Sequence, residues 1–171
     1  MPSGARPPWL FGVTALVILL TDLATKLLVQ ATFDHGEARS VVGEWFQLRL
    51  VYNPGAAFGL SLGSYSRWIF LGIAVVAVGL LWRMARTTAT SDWFRLVTLG
   101  MVAGGAAGNL IDRIRSPIGV VDFLDLGLGA MRWPTFNVAD MGVSCGAIAL
   151  AISFWREDAS RPEVSHATPA G

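Results

Sequence analysis

Three uncharged apolar runs, at residues 68–82, 96–111 and 141–155, constrain this chain more than any other feature. Each is 15 or 16 residues long. At 1.5 Å per residue, a helix of that length reaches about 22–24 Å, short of the ~30 Å hydrocarbon core of a bilayer. To span, each helix must recruit flanking residues, which brings Asp112 into the second of these runs and Asp140 into the third. A further apolar stretch, 9–29, already contains Asp22 and Lys26. An aspartate at membrane depth costs at least about 2.5 kcal/mol on insertion scales, and helix ends are where that cost is smallest. The pattern predicts an all-α integral membrane protein with four transmembrane helices, over about residues 9–29, 67–84, 94–112 and 138–155.

Composition agrees. Only 15% of the 171 residues are charged and 53% are hydrophobic, where a soluble domain carries about 25% charge. Residues 1–155 are read as one membrane domain and 156–171 as a polar, disordered tail. A net charge of +1 gives no electrostatic footprint for nucleic acid. With one cysteine, Cys145, no intrachain disulfide is possible, and two histidines, His35 and His166, make a histidine metal site improbable. No metal or cofactor is expected. The chemistry must rest on carboxylates, on Lys26 or on hydroxyls.

The tryptophans mark the same boundaries. Trp9, Trp68, Trp82, Trp93 and Trp155 fall at span ends, as an interfacial aromatic belt requires. Arg6 followed by the apolar stretch 9–20 imitates a cleavable leader, but Asp22 and Lys26 continue the helix and no small-x-small site follows, so a retained span is expected. In the long first loop, the segment VVGEWFQLRLVY (41–52) is rich in β-formers and predicts short surface strands.

Four spans impose a parity. Helices 1 and 3 end on one face of the membrane, and helix 4 begins there. Asp22, Lys26, Asn109, Asp112, Arg113, Asn137 and Asp140 therefore converge on that face, with Asn53 and Asp122 in the loops above it. The arginines divide six against six between the faces, so the positive-inside rule leaves the sidedness open.

Two carboxylates brought together can divide acid and base roles, because like charges in close contact do not both ionise cheaply. Asp122 and Asp140 are candidates for such a pair, although Asp112 and Asp125 lie near enough that spacing alone does not select them. The structural readings are an ion pair or cap for Asp112 with Arg113, an i,i+4 pair for Asp22 and Lys26, and inter-helix hydrogen bonds for Asn109 and Asn137. Gly100, Gly104 and Gly108 offer helix 3 a smooth face for a neighbour, and Gly55 and Gly59 allow a tight turn. The G-x-S-x-G match at 142–146 lies inside a span with no histidine in reach, which argues against a serine hydrolase elbow.

The ordered set resembles the lipoprotein signal peptidase (signal peptidase II) family. Asp22-x-x-x-Lys26, the block NPGAAFG from Asn53, the block GNLIDR ending in Asp112-Arg113, VVDF around Asp122 and FNVAD ending in Asp140 carry the resemblance, in family order from about Trp9 to Trp155. It implies a membrane aspartic endopeptidase that removes signal peptides from bacterial prolipoproteins, cutting just before a diacylglyceryl-modified cysteine, with Asp122 and Asp140 as the catalytic dyad. Asn53, Gly55, Gly105, Asn109, Asp112, Arg113, Asn137 and Ala139 would shape and support the site, and Asp22 and Lys26 would serve structure. Gly105, Ala106 and Ala139 would leave room for the peptide. The resemblance further implies an inner-membrane monomer in contact with lipid, with the site on the periplasmic face and both termini cytoplasmic. The first-loop strands would form an extracytoplasmic β-rich cradle. The link RSPIG (115–119) is longer than the family's usual one. Cys145 is read as buried in helix 4.

Two other readings predict different behaviour. Lys26 acting as general base for Ser61, Ser64 or Ser66 would be indifferent to Asp122→Asn. A small transporter or proton-conducting protein would spread its carboxylates through the membrane depth.

Overall fold

The computed structural model describes residues 8–55 and 62–159, with side chains to residue 156. Arg6, the 56–59 part of the NPGAAFG block, Ser61, and the tail from 160, with Arg161 and His166, lie outside the described residues.

Four α-helices run through the described residues: α1 (Trp9–Thr32), α2 (Ser66–Thr87, entered through a 3-10 turn at Gly63–Tyr65), α3 (Trp93–Arg115) and α4 (Val138–Ala159). Each is long and apolar enough to cross a membrane. The added length comes from the charged flanks: Asp112, Arg113 and Arg115 complete the last turn of α3, and Asp140 lies in the first turn of α4. Leu16, Val17, Leu20, Ile73, Val76, Leu80 and Ile148 are exposed on the outer faces, where only lipid solvates them without cost. The tryptophans at positions 9, 68, 82, 93 and 155 are exposed at the helix ends.

Helix α3 is the centre, packed against each of the other three. Lipid gives helices no hydrophobic reason to associate, so close approach of backbones must hold them. The glycines supply it on two faces, where the sequence reading expected one. A Cβ at Gly100 or Gly104 would meet Phe11 and Ala15 backbone atoms of α1, whereas Gly105 lies against Ala139 and Val143 of α4. Gly142 and Gly146, the glycines of the G-x-S-x-G match, lie against Met101 and Val102 of α3. That motif is a helix-packing surface. At the far end of the bundle from the sheet, Phe11, Leu81, Ala85, Leu96, Leu99 and Ala103 form one buried cluster.

At the end where α1 and α3 stop and α4 starts, a four-stranded antiparallel sheet runs in the order β1 (Ala38–Val42), β2 (Phe46–Asn53), β3 (Val120–Leu128), β4 (Met131–Arg132). The sequence reading placed a β-rich cradle in the first loop alone, and that is corrected here: β3 and β4 come from the third loop. The physical reason is burial. Val121 and Phe123 pack with Val29 and Leu50 in a second core, and Val120, Asp122 and Asp125 are also covered. A strand covered in this way loses the in–out alternation that marks a surface strand.

Candidate active site

Asp122 stands on β3, paired with Val51 of β2, where the register of the β2–β3 pair shifts. Asp140 stands in the first turn of α4. Both border a cavity of about 250 Å³, roofed by residues 133–136 and walled along α4 by Met141, Ser144 and Cys145. Cys145 is thus exposed, which corrects the expectation that it is buried: its helix face looks away from α3.

The start of α4 explains how Asp140 is aimed. Asn137 Oδ1 accepts from Asp140 N at 2.9 Å, and Asn137 N donates to Asp140 Oδ2 at 3.1 Å. This is the reciprocal logic of a capping box, with each side chain satisfying the other's backbone N–H. Asn137 Nδ2 then turns to Asp122 Oδ1 at 2.7 Å, with Val121 O and Asn109 Oδ1 each 3.1 Å away. A single buried residue therefore holds both carboxylates, Asp122 by its side-chain amide and Asp140 by its backbone N–H.

Each aspartate has a second amide. Asn53 Nδ2 donates to Asp122 Oδ2 at 3.1 Å while its Oδ1 accepts from Gly55 N, and Asn109 Nδ2 donates to Asp140 Oδ1 at 2.8 Å. Behind Asn109 lies Lys26, donating to its Oδ1 at 3.0 Å. That fixes which end of the amide faces Asp140, since an ammonium has only protons to offer. Lys26 Nζ also lies 2.8 Å from both Asp22 Oδ2 and Asp112 Oδ2, all three residues being buried. Asp112 Oδ2 accepts from Val121 N and Asp22 Oδ1 from Ala139 N. The buried charge cluster thus holds β3 at one end and α4 at the other.

Several expected partners differ. Asp112 pairs with Lys26, not with Arg113; the Arg113 guanidinium donates instead to Asn109 O at 3.1 Å and Gly55 O at 3.0 Å. Gly105 and Ala139 do not open room for a ligand. They face each other inside the α3–α4 contact, and Ala139 is fully buried. Gly108 likewise lies against Asp22 and Ala139.

Three features escaped the sequence reading. Gly119, at φ +135°, brings its Cα against the backbone of Asn53 and Pro54, and no other residue adopts that conformation without strain. Its signal was the glycine closing the RSPIG link. Arg67, at the start of α2, donates to the orphan carbonyls of Arg113 and Ile114 at the end of α3. Asp125, weighed only as a rival to Asp122, is buried and pairs with Arg49 of β2 and Arg132 of β4.

Burial, reinforced by the Asp140 charge, pushes Asp122 up to about 7 against the opposing hydrogen bonds from Asn53 and Asn137. At that value the Asp122 carboxyl exchanges its proton near neutral pH. Two carboxyls holding a single proton at the edge of an apolar cavity can activate water and protonate a departing group, the chemistry of an aspartic hydrolase.

Comparison with known proteins agrees. Residues 14–156 match the family described as Signal peptidase (SPase) II. Similar proteins named lipoprotein signal peptidase include one from Rhodococcus jostii (strain RHA1), 43% identical over 88% of this chain and 79% of the relative. Another, from Cupriavidus taiwanensis, is 39% identical over 88% of this chain and 85% of the relative. Among solved structures, a bacterial membrane enzyme determined by the in meso method at 2.3 Å superposes with TM-score 0.80 at 27% identity, covering 90% of this chain and 92% of that one. A second, at 1.9 Å, gives 0.75 at 27% identity over 86% and 93%. The match spans all four helices and both carboxylates, and the chain belongs to the signal peptidase II family.

Proposed function

We propose that this protein removes signal peptides from prolipoproteins by an aspartic mechanism, with Asp122 and Asp140 as the dyad and the cut just before the diacylglyceryl-modified cysteine. The observation that carries the reading is the shared placement of the two carboxylates, tied by Asn137 and bordering one apolar-walled cavity at the end of the bundle. The lipid on the substrate cysteine holds the scissile bond at the membrane edge, which turns encounter into a search in two dimensions and aligns the bond with the dyad. The Asp122 proton goes to the scissile carbonyl oxygen as Asp140 draws a proton from the attacking water. The tetrahedral intermediate then collapses with a proton passed to the leaving amine. Asn53, Asn109, Asn137 and Arg113 hold the carboxylates and the 53–55 turn in place. Gly105, Ala139, Asp112, Asp22 and Lys26 hold the helices that bear them.

Residues 1–155 form a single protease domain that works as a monomer in the bacterial inner membrane, with the sheet and the dyad on the periplasmic face and both termini in the cytoplasm. Labelling of Glu44→Cys from outside the cell and of Thr90→Cys only after permeabilisation, both in a Cys145→Ala background, tests the orientation. The rival use of Lys26 as general base has no support: Asp22, Asp112 and Asn109 surround its ammonium, and Ser66 Oγ accepts from Leu62 N.

The deciding experiment is cleavage of a diacylglyceryl-modified prolipoprotein by the purified protein in detergent, beside folded Asp122→Asn and Asp140→Asn. Wild-type processing with both variants inactive is the expected result. Full activity in either variant would remove that residue from the dyad.

A further inference from the structure

The cavity beside the dyad has two walls of different origin. One is the α4 face with Met141, Ser144 and Cys145; the other is the segment 133–136 between β4 and α4. A helix face is rigid by construction, whereas a four-residue connection containing a proline must be fastened to something. Its backbone is fastened at two points: Trp133 N donates to Leu126 O at 2.7 Å, and Phe136 exchanges hydrogen bonds with Leu124 at 2.8 and 3.1 Å. Between them, Pro134 has no N–H to donate, and Trp133 and Pro134 are exposed.

Directly before this segment stands Arg132, and its guanidinium reaches three places. Nε donates to Asp125 Oδ1 at 2.7 Å, Nη2 to Asp125 O at 3.2 Å and Nη1 to Glu44 O at 3.1 Å. Asp125 is buried, and its other oxygen faces Arg49 Nε of β2 at 3.1 Å. A carboxylate covered from water, hydrogen-bonded by one guanidinium and ion-paired with a second, is a stiff joint, because charge-assisted contacts from two sides resist rotation. It joins β2, β3 and the short β4, only two residues long, whose own ladder would fix the chain weakly. The proposed chemistry uses neither Asp125 nor Arg132.

We propose that Asp125 and Arg132 are positioning residues for substrate binding: their ion pair sets where the 133–136 wall stands relative to α4, and so the width of the groove that receives the substrate beside the dyad. The inference rests on the peptidase reading above. It places the effect on affinity, because the wall borders the cavity while the carboxylates themselves are bonded by Asn53, Asn109 and Asn137 and not by the wall residues. An interaction shared by ground and transition states changes KM and leaves kcat.

The test uses the full-length protein in detergent with a diacylglyceryl-modified prolipoprotein, comparing wild type, Arg132→Gln, Arg132→Lys, Asp125→Asn and a control, Arg39→Gln, on the exposed β1 strand. Arg132→Gln is expected to raise KM about ten-fold with kcat within about two-fold, and Asp125→Asn and Arg132→Lys to fall between it and wild type. A second readout is independent of turnover. Cys145 is the only cysteine and lines the same groove, so substrate should protect it from alkylation by maleimide in an uncleaving Asp122→Asn background. The substrate concentration giving half protection should rise by the same factor as KM. Wild type that cleaves, with Arg132→Gln folded and unchanged in both KM and protection, overturns the positioning role alone. A fall in kcat at constant KM overturns it in favour of a role in the chemistry. Wild type that never cleaves overturns the peptidase reading itself. Should Arg132→Gln not fold, the milder Arg132→Lys and Asp125→Asn decide, an unchanged KM in both counting against the proposal.

Discussion

Asn137 Nδ2 donates to Asp122 Oδ1 at 2.7 Å from a side chain with no exposed surface. The same residue caps the helix that carries Asp140. Local helix-start chemistry and the geometry of the proposed dyad are therefore one device. Asn137→Ala should lower kcat by about 10²-fold, the cost of a small misplacement of a catalytic group. It should also lower stability by about 1 kcal/mol through the lost cap. Cleavage assays with thermal unfolding in detergent separate the two, and a stability loss with full activity would refute the link.

The pH profile follows from Asp122. Burial and the neighbouring Asp140 raise it to about 7, and the proposed mechanism needs it protonated. As pH rises through 7 the proton is lost, so kcat/KM should fall on the alkaline side with an apparent pKa near 7, belonging to the coupled pair. A profile flat from pH 6 to pH 9 would show that the proton on Asp122 is not required.

Lys26 should matter for folding before it matters for rate. Lys26→Met keeps the bulk and removes the cation, leaving Asp22 and Asp112 buried without the ammonium that bridges them. Breaking a buried charge cluster from one side costs about 3–5 kcal/mol. Adding Asp22→Asn and Asp112→Asn to Lys26→Met should recover much of that loss, as measured by unfolding temperature in detergent.

Among the glycines, Gly105→Ala would drive a Cβ into the Ala139 carbonyl, and Gly108→Ala one into Asp22, prying α3 from α4 and α1. Each should cost about 1–3 kcal/mol, the range for overpacking. At Gly79 on α2 a Cβ meets nothing within 4 Å, so Gly79→Ala should be neutral or stabilising by up to about 1 kcal/mol. Equal sensitivity at all three would contradict the packing described for α3.

The four helices and the end of the bundle where the polar residues gather were legible because their causes are local. Apolar runs bounded by charges fix a span, and the parity of four spans forces Asp22, Asp112 and Asp140 to one end. Sequence could not choose Asp122 over Asp125 on physical grounds, for both are aspartates on one strand. Only the tertiary fold distinguishes them: β3 points Asp122 at Asn53, Asn137 and the cavity, and places Asp125 between Arg49 and Arg132. The same holds for Lys26. Its i,i+4 pairing with Asp22 was readable along one helix, but its bonds to Asp112 and Asn109 join residues more than 80 positions away on α3. By itself the sequence determined which segments enter the membrane, because transfer free energy depends on composition over a short window. What each buried carboxylate does was decided by the fold, because that depends on which partners replace its water, and those partners come from distant parts of the chain.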